Sequence, residues 1–237
     1  MKKLDFNDYQ SLLRETETGK SIAVSTIASQ FYCETKVELG ARLGAERNQA
    51  MMAGIVGHRA DLPFLTQEKP EKLWDRAIKP TARKPVEIRE FRLVGRFGDF
   101  LVQGRADLAS LFRGRALQIL EYKFRGHKNI YDTDVVQCKL YGLLLRAMGF
   151  DTSSLRLTVV AFDSRDKEDA IIMYNSPELR PLVDPVERDI LFEEKKATED
   201  LEWALEYWNG ARNAIPTKNP QKCRACEFRA ACPDSRA

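Results

Sequence analysis

The sequence predicts an α/β fold with a central mixed sheet and flanking helices. Three observations lead there. Apolar residues in the first third of the chain recur at helical spacing. Between residues 86 and 124 the spacing changes to alternation in successive runs, punctuated by Gly95, Gly98, Gly104 and Gly114. A long apolar stretch of helical character then separates these runs from further strand-like segments.

In chain order, a short helix is expected around Phe6 to Leu13, followed by the polar turn ETETGK. Ser25 is a candidate N-cap for a helix through TIASQFYCETKVELGARL, where Phe31, Glu34, Val37 and Glu38 keep helical spacing. A second helix is expected from about Ala45 to Ala60, ending before Pro63. Residues 63 to 85 are proline-rich and of mixed charge, and read as a connection with a short helix at EKLWDRAI. VEIREFRLV, FLVQGRADLASLF and ALQILEYKF read as a three-stranded meander. A helix from Tyr131 to Met148 is closed by Gly149. SLRLTVVAFD and DAIIMYN read as two more strands. A charged helix from Val186 to Asn209 follows, with Leu191, Leu201, Leu205 and Trp208 on its apolar side, and AIPTKNP links it to a cysteine-bearing tail.

Composition narrows the class. The chain has 237 residues, 43% of them hydrophobic and 31% charged, which suits one large α/β domain. No run approaches the ~18 apolar residues of a membrane span. The start, MKKLDFNDYQ, lacks the apolar core of a signal peptide, so a cytoplasmic protein without a membrane partner is expected. A net charge of +3 permits a nucleic-acid partner without arguing for one. The local distribution says more, since Arg105, Arg113, Arg115, Lys123, Arg125, Lys128, Lys139 and Arg146 crowd the middle of the chain.

The candidate chemistry begins at Glu121 and Lys123, on one face of a strand that Leu117, Ile119 and Leu120 mark as buried. Asp107 lies on the preceding strand, and neighbouring strands are only ~4.8 Å apart, so the two carboxylates can converge. Convergent carboxylates are hard ligands for Mg²⁺ or Mn²⁺, and burying them is costly unless they are paired or metal-bound. An adjacent lysine can orient water or stabilise charge on a phosphate. Gln137 and Tyr141, four apart, share one face of the next helix. The chain has two histidines; His58 is a candidate ligand and His127 reads as a loop residue.

There are five cysteines, an odd number that argues against a disulfide framework. Cys223, Cys226 and Cys232 form an incomplete tetrahedral set, for which Cys33 and Cys138 are the available fourth ligands. Cys138 sits among apolar helix positions and reads as core, which leaves Cys33. Zinc and an iron–sulfur cluster both accept four thiolates.

Taken in order, VSTIASQFYC, GHRAD, GRADLAS, ILEYK, QCKLYG and CRACEFRAAC resemble the RecB-like branch of the PD-(D/E)XK nucleases. The likeness is to its iron–sulfur-containing form, found among CRISPR-associated RecB-type exonucleases. It implies a PD-(D/E)XK (restriction-endonuclease-like) core at 86–180. An N-terminal helical region at 1–85 would supply one cluster cysteine and His58. A C-terminal helix with a cysteine-rich cluster element would occupy 181–237, the whole forming one integrated domain. It implies Asp107, Glu121, His58 and the Tyr122 carbonyl as metal ligands, Lys123 as the motif lysine, and Gln137 and Tyr141 as the helix motif. Arg105 and Arg125, with Gln137 and Tyr141, are the expected DNA contacts. Cys33, Cys223, Cys226 and Cys232 would hold a [4Fe–4S] cluster, with [2Fe–2S] or zinc as alternatives. The implied activity is Mg²⁺- or Mn²⁺-dependent cleavage of single-stranded DNA, exonucleolytic with some endonucleolytic action. The implied setting is the processing of CRISPR spacer precursors beside the integrase, with self-association into a homo-oligomer compatible. A stand-alone repair nuclease, or a non-catalytic DNA-binding module, shares much of the same pattern. One departure is that Cys33 is followed by Glu34 and Thr35, where this family commonly has proline and arginine.

Overall fold

The computed structural model describes residues 5–18, 21–44, 70–163 and 169–237. The expected helix from Ala45 to Ala60, and His58 with it, lies outside the described residues. The elements run α1 (Phe6–Thr16), β1 (Ser21–Ala23), α2 (Val24–Gln30), α3 (Glu34–Leu43), α4 (Pro70–Ile78), β2 (Val86–Phe97), β3 (Phe100–Phe112) and β4 (Arg115–Arg125). They continue with α5 (Asp132–Ala147), β5 (Arg156–Asp163), α6 (Asp169–Asn175), β6 (Val186–Leu191), α7 (Glu194–Trp208) and α8 (Pro220–Arg224).

The sheet is mixed. β2, β3 and β4 form the expected antiparallel meander, β5 adds parallel to β4, and β6 closes the edge antiparallel to β5. Gly98 and Gly114 take positive φ in the two hairpin turns, where a side chain would be strained. The main core lies between the sheet and α5, with Leu93, Ile119, Leu140, Leu144, Leu145 and Leu157 fully buried. A second core lies on the opposite face, where Leu120, Tyr122 and Phe124 of β4 meet Phe162 and Tyr174. α1 and α4 cover the far end of β2. There Tyr9 stacks on Trp74 at 4.8 Å, and its hydroxyl donates to the Arg92 carbonyl at 2.8 Å.

The structure corrects several sequence expectations. Ser25 is not an N-cap: α2 starts at Val24 after a three-residue strand, with Ala23 at the cap position. The single long helix beyond it is two, because Cys33 takes an extended conformation (φ −173°, ψ 119°) between Gln30 and Glu34. DAIIMYN is helix α6, not a strand. Ala170, Ile171 and Tyr174 bury one helical face, and Asn175 donates back to the Ile171 carbonyl at 2.7 Å. The expected helix from Val186 is strand β6 up to Leu191, which is 63% exposed, and only then α7. Phe192 makes the turn between them. Its N–H donates to the Leu155 carbonyl at 3.0 Å, and its ring lies so close to α5 that a Cβ on Gly142 would be 2.5 Å away. No helix among the described residues is long and apolar enough to cross a membrane.

One irregularity positions everything that follows. β2 pairs with β3 along almost its full length, so β1 and β4 must share the other edge of β3. β1 takes Leu101 to Gln103, and β4 takes the stretch from Leu108 onward. Between them, at residues 104–107, that edge pairs with no strand among the described residues. The β2–β3 ladder also skips one pair there, Glu90 opposite Asp107, and Glu90 takes φ +48°. The core pattern slips at the same place: Ile88 and Phe91, and likewise Ala106 and Ala109, face the main core three residues apart instead of two. The hairpin therefore turns over at Asp107.

Candidate active site

Glu121 and Lys123 alternate with Tyr122 on β4, so they share the face that packs toward α5 while Tyr122 enters the second core. Lys123 Nζ donates to Glu121 Oε1 at 2.7 Å and to Gln137 Oε1 at 3.0 Å. Gln137 Nε2 donates to the same Glu121 oxygen at 2.7 Å and to the Tyr141 hydroxyl at 2.7 Å. That hydroxyl in turn donates to the Arg105 carbonyl at 2.9 Å. Arg105 lies on the open edge of β3, so Tyr141 supplies the partner that a missing strand would have supplied. Gly104 makes the approach feasible, since a Cβ there would lie 2.5 Å from the Tyr141 ring.

Asp107 reaches across the fork. Its Oδ2 accepts from the Tyr122 N–H at 2.6 Å, replacing the ladder bond that would otherwise join β3 to β4. Burial, reinforced by the nearby Glu121 carboxylate, raises the Asp107 pKa well above the usual carboxylate range, against the Tyr122 N–H and Lys123, which lower it. Burial disfavours the charged form of Lys123 too, but the Glu121 carboxylate outweighs it and the ammonium is held above its ordinary pKa. Glu121 is 3% exposed, and its second oxygen, Oε2, is buried with no hydrogen-bond partner among the described residues. An orphaned carboxylate oxygen beside a second carboxylate is a poor place to leave charge unless a cation completes it. The donor set therefore fits a hard divalent ion. No three His, Cys, Asp or Glu side chains among the described residues form a ready-made cation cage.

Of the basic residues singled out from the sequence, Arg105 is exposed and pairs with Glu90 at 3.3 Å. Arg125 is engaged elsewhere. It holds Asp134 through two bonds of 2.7 and 2.6 Å, donates to the Asn129 carbonyl at 2.8 Å, and lies over the Tyr131 ring. Asp134, which the sequence reading missed, is 3% exposed and also accepts from the Tyr131 N–H at 2.8 Å, so it fixes the start of α5 against the end of β4. An acidic residue in the first turn of a helix was the available signal.

Four of the five cysteines fall together, away from Cys138. All five are free. Cys33, Cys223, Cys226 and Cys232 line one cavity together with Tyr32, Lys36 and Lys222, whereas Cys138 is wholly buried in α5. Glu34, beside Cys33, anchors the tail that carries the other three. Its carboxylate accepts from both terminal nitrogens of Arg212, from the Ile215 N–H at 2.8 Å and from Gln30 Nε2 at 2.8 Å. The Thr217 N–H then points at Cys33 Sγ at 3.4 Å. These four thiols share one cavity, but no three of them are gathered into a set that holds a metal ion as they stand.

A family model described as the PD-(D/E)XK nuclease superfamily matches residues 26–233. The crystal structure of SSO0001 is similar over 96% of this chain and 95% of its own, with a TM-score of 0.52 and 14% identity, a likeness of fold alone. A crystal structure from Eubacterium rectale, provisionally described as an exonuclease, aligns over 95% of this chain and 94% of its own at TM-score 0.48 and 15% identity. No curated protein matches the chain significantly.

Proposed function

Because the chain belongs to the PD-(D/E)XK nuclease superfamily, we propose that it is a divalent-cation-dependent nuclease that hydrolyses single-stranded DNA, chiefly from an end. The observation that carries this reading is the buried Oε2 of Glu121, which has no hydrogen-bond partner among the described residues, beside Asp107. Asp107 and Glu121, with His58 and the Tyr122 carbonyl, would hold Mg²⁺ or Mn²⁺. Bound there, such an ion lowers the pKa of an attacking water and neutralises charge on the scissile phosphate.

The chain's own groups do the rest. Lys123 is held by Glu121 and Gln137 and keeps one N–H direction for the water or the phosphate oxygen. Gln137 and Tyr141 are occupied with each other, with Glu121 and with the Arg105 carbonyl, which supports a positioning role for both. Arg105, exposed at the fork, is the residue best placed to meet the strand. Arg125 acts through Asp134, keeping α5 in register with β4.

Cys33, Cys223, Cys226 and Cys232 would hold a [4Fe–4S] cluster; zinc or [2Fe–2S] would use the same thiolates. The shared cavity supports this. For the biological setting we propose CRISPR spacer-precursor processing alongside an integrase, supported by the order of the motifs together with the cysteine set.

The test is cleavage of 5′- and 3′-labelled single strands with Mn²⁺, wild type beside Glu121→Ala. Release of terminal products by the wild type and none by the variant is expected. Equal cleavage by both would overturn the assignment. Visible absorbance of anaerobically purified protein decides the cysteine centre, because a colourless protein carrying zinc would replace the cluster reading.

A further inference from the structure

We propose that the turns at the far end of the β2–β3–β4 meander form a second phosphate-backbone surface, which grips the DNA strand beyond the point of cleavage. The proposal rests on the nuclease reading and extends it to a part of the chain outside the catalytic fork.

Four exposed cations, Lys79, Arg83, Lys84 and Arg113, meet there, and none has an ion pair among the described residues. They come from two separate turns that the backbone ties together. The Gly114 N–H donates to the Ala77 carbonyl at 2.7 Å, the Ala82 N–H donates to the Lys79 carbonyl at 3.1 Å, and Arg113 Nε donates to the Ala82 carbonyl at 2.9 Å. Arg115, beside them, is already paired with Asp151 at 3.4 Å.

Arg113 is the informative member. It occupies the tip of the β3–β4 hairpin at φ +52°, followed by Gly114 at φ +77°. Such two-residue turns favour asparagine and glycine, so an arginine there is conformationally disfavoured and calls for another reason. The Ala82 carbonyl engages only Nε, and the guanidinium lies over the Phe112 ring at 4.7 Å. Both terminal nitrogens are left without a protein partner among the described residues. The result is a pre-ordered guanidinium fork, the geometry that takes two phosphate oxygens at little entropic cost.

The position fits a nucleic acid. Six residue steps, along β3 and into its turn, lead from Asp107 to Arg113, which is ~20 Å at ~3.3 Å per residue. At ~3.4 Å per stacked nucleotide, that is roughly six steps of a strand. Only a substrate longer than this reaches both places.

The decisive experiment compares wild type with a K79Q/R83Q/K84Q/R113Q variant, its fold checked by circular dichroism. Fluorescence anisotropy is read in EDTA across a salt series, with single strands of about 30 and about 5 nucleotides, on either side of the predicted reach. On the long strand the variant's log K against log salt slope is expected to be shallower by about 2 to 3, at ~0.7 per lost phosphate contact. Mn²⁺-dependent cleavage of the short strand, which cannot span both places, stays unchanged. An unchanged slope on the long strand overturns this proposal and leaves the nuclease reading standing. A wild type that neither binds nor cleaves DNA overturns both. If polyglutamate binds the wild type as tightly as DNA does and is lost from the variant, the surface serves an acidic protein and the proposal also fails.

Discussion

Arg212→Gln takes the guanidinium away from Glu34, a carboxylate with no exposed side-chain surface. In the wild type that carboxylate has four donors, two of them from Arg212, and the guanidinium also donates to the Trp203 carbonyl at 2.7 Å. Glutamine leaves Glu34 with the Ile215 N–H and Gln30. Removing one partner of a buried ion pair costs about 3–5 kcal/mol, because the remaining charge is stranded. Acidity gives the second reading. Burial by itself would raise the Glu34 pKa, but Arg212 and the N–H donors reverse this and hold it below the usual range. A depressed folded-state pKa means stabilisation that is present above the ordinary carboxylate range and is lost as pH falls through the depressed value. The gap between wild type and variant should therefore be widest near neutral pH and narrower at about pH 4, the ordinary glutamate range. Urea denaturation followed by circular dichroism measures the global loss. Hydrogen exchange over residues 213–217 measures the local one, since the tail can detach before the rest unfolds. A loss of about 3 kcal/mol near neutral pH, with faster exchange of the tail, is expected. Losses below about 1 kcal/mol by both methods, or a gap that does not depend on pH, would refute the reasoning.

Three further outcomes follow from the fork. Glu121→Gln should lower the Mn²⁺-dependent nuclease rate at least about 10²-fold, equivalent to several kcal/mol of lost charge stabilisation, and should abolish the rise in Tm that Mn²⁺ gives the wild type. Asp107→Asn should raise the Tm of metal-free protein at neutral pH by about 2–4 °C, or ~1 kcal/mol. Asp107 has a raised folded-state pKa, so its ionised form weakens the fold; the gain should disappear below the ordinary carboxylate range, where the residue is protonated whether folded or not. Gly104→Ala places a Cβ 2.5 Å from the Tyr141 ring, and should cost about 1–3 kcal/mol in urea melts and lower the nuclease rate together with it.

The meander, α5 and β5 were legible because each carries its own period: Ile119, Glu121 and Lys123 alternate cleanly, and Leu140 and Leu144 are one turn apart. β6 was not, since an edge strand is polar by necessity and Val186 to Leu191 runs into α7 without a glycine or proline. α6 failed for the opposite reason, as seven residues rich in isoleucine carry too little period to choose between helix and strand. The cluster of Asp107, Glu121, Lys123, Gln137 and Tyr141 could be anticipated from chemistry and order. The means by which they meet could not. The division of one edge of β3 between β1 and β4, the skipped pair at Glu90 and the Tyr141 bond to the Arg105 carbonyl are long-range facts that no local pattern encodes. The same holds for Glu34, whose replacement of the expected proline makes sense only once Arg212 has folded back onto it.

Because β1 and β4 occupy different lengths of the same edge, β3 works as an axle with two wings. One wing carries the N-terminal elements through β1, and the other carries Glu121 and Lys123 on β4. Asp107 sits on the axle between them, and the Tyr122 N–H of the second wing donates to it. Any torsion of one wing against the other would change the spacing of the two carboxylates. Since a misplacement of about 1 Å can cost on the order of 10²-fold in rate, whatever braces the wings would, on the proposed nuclease reading, govern turnover without touching substrate. Tyr141, spanning from α5 to the axle, is the strut.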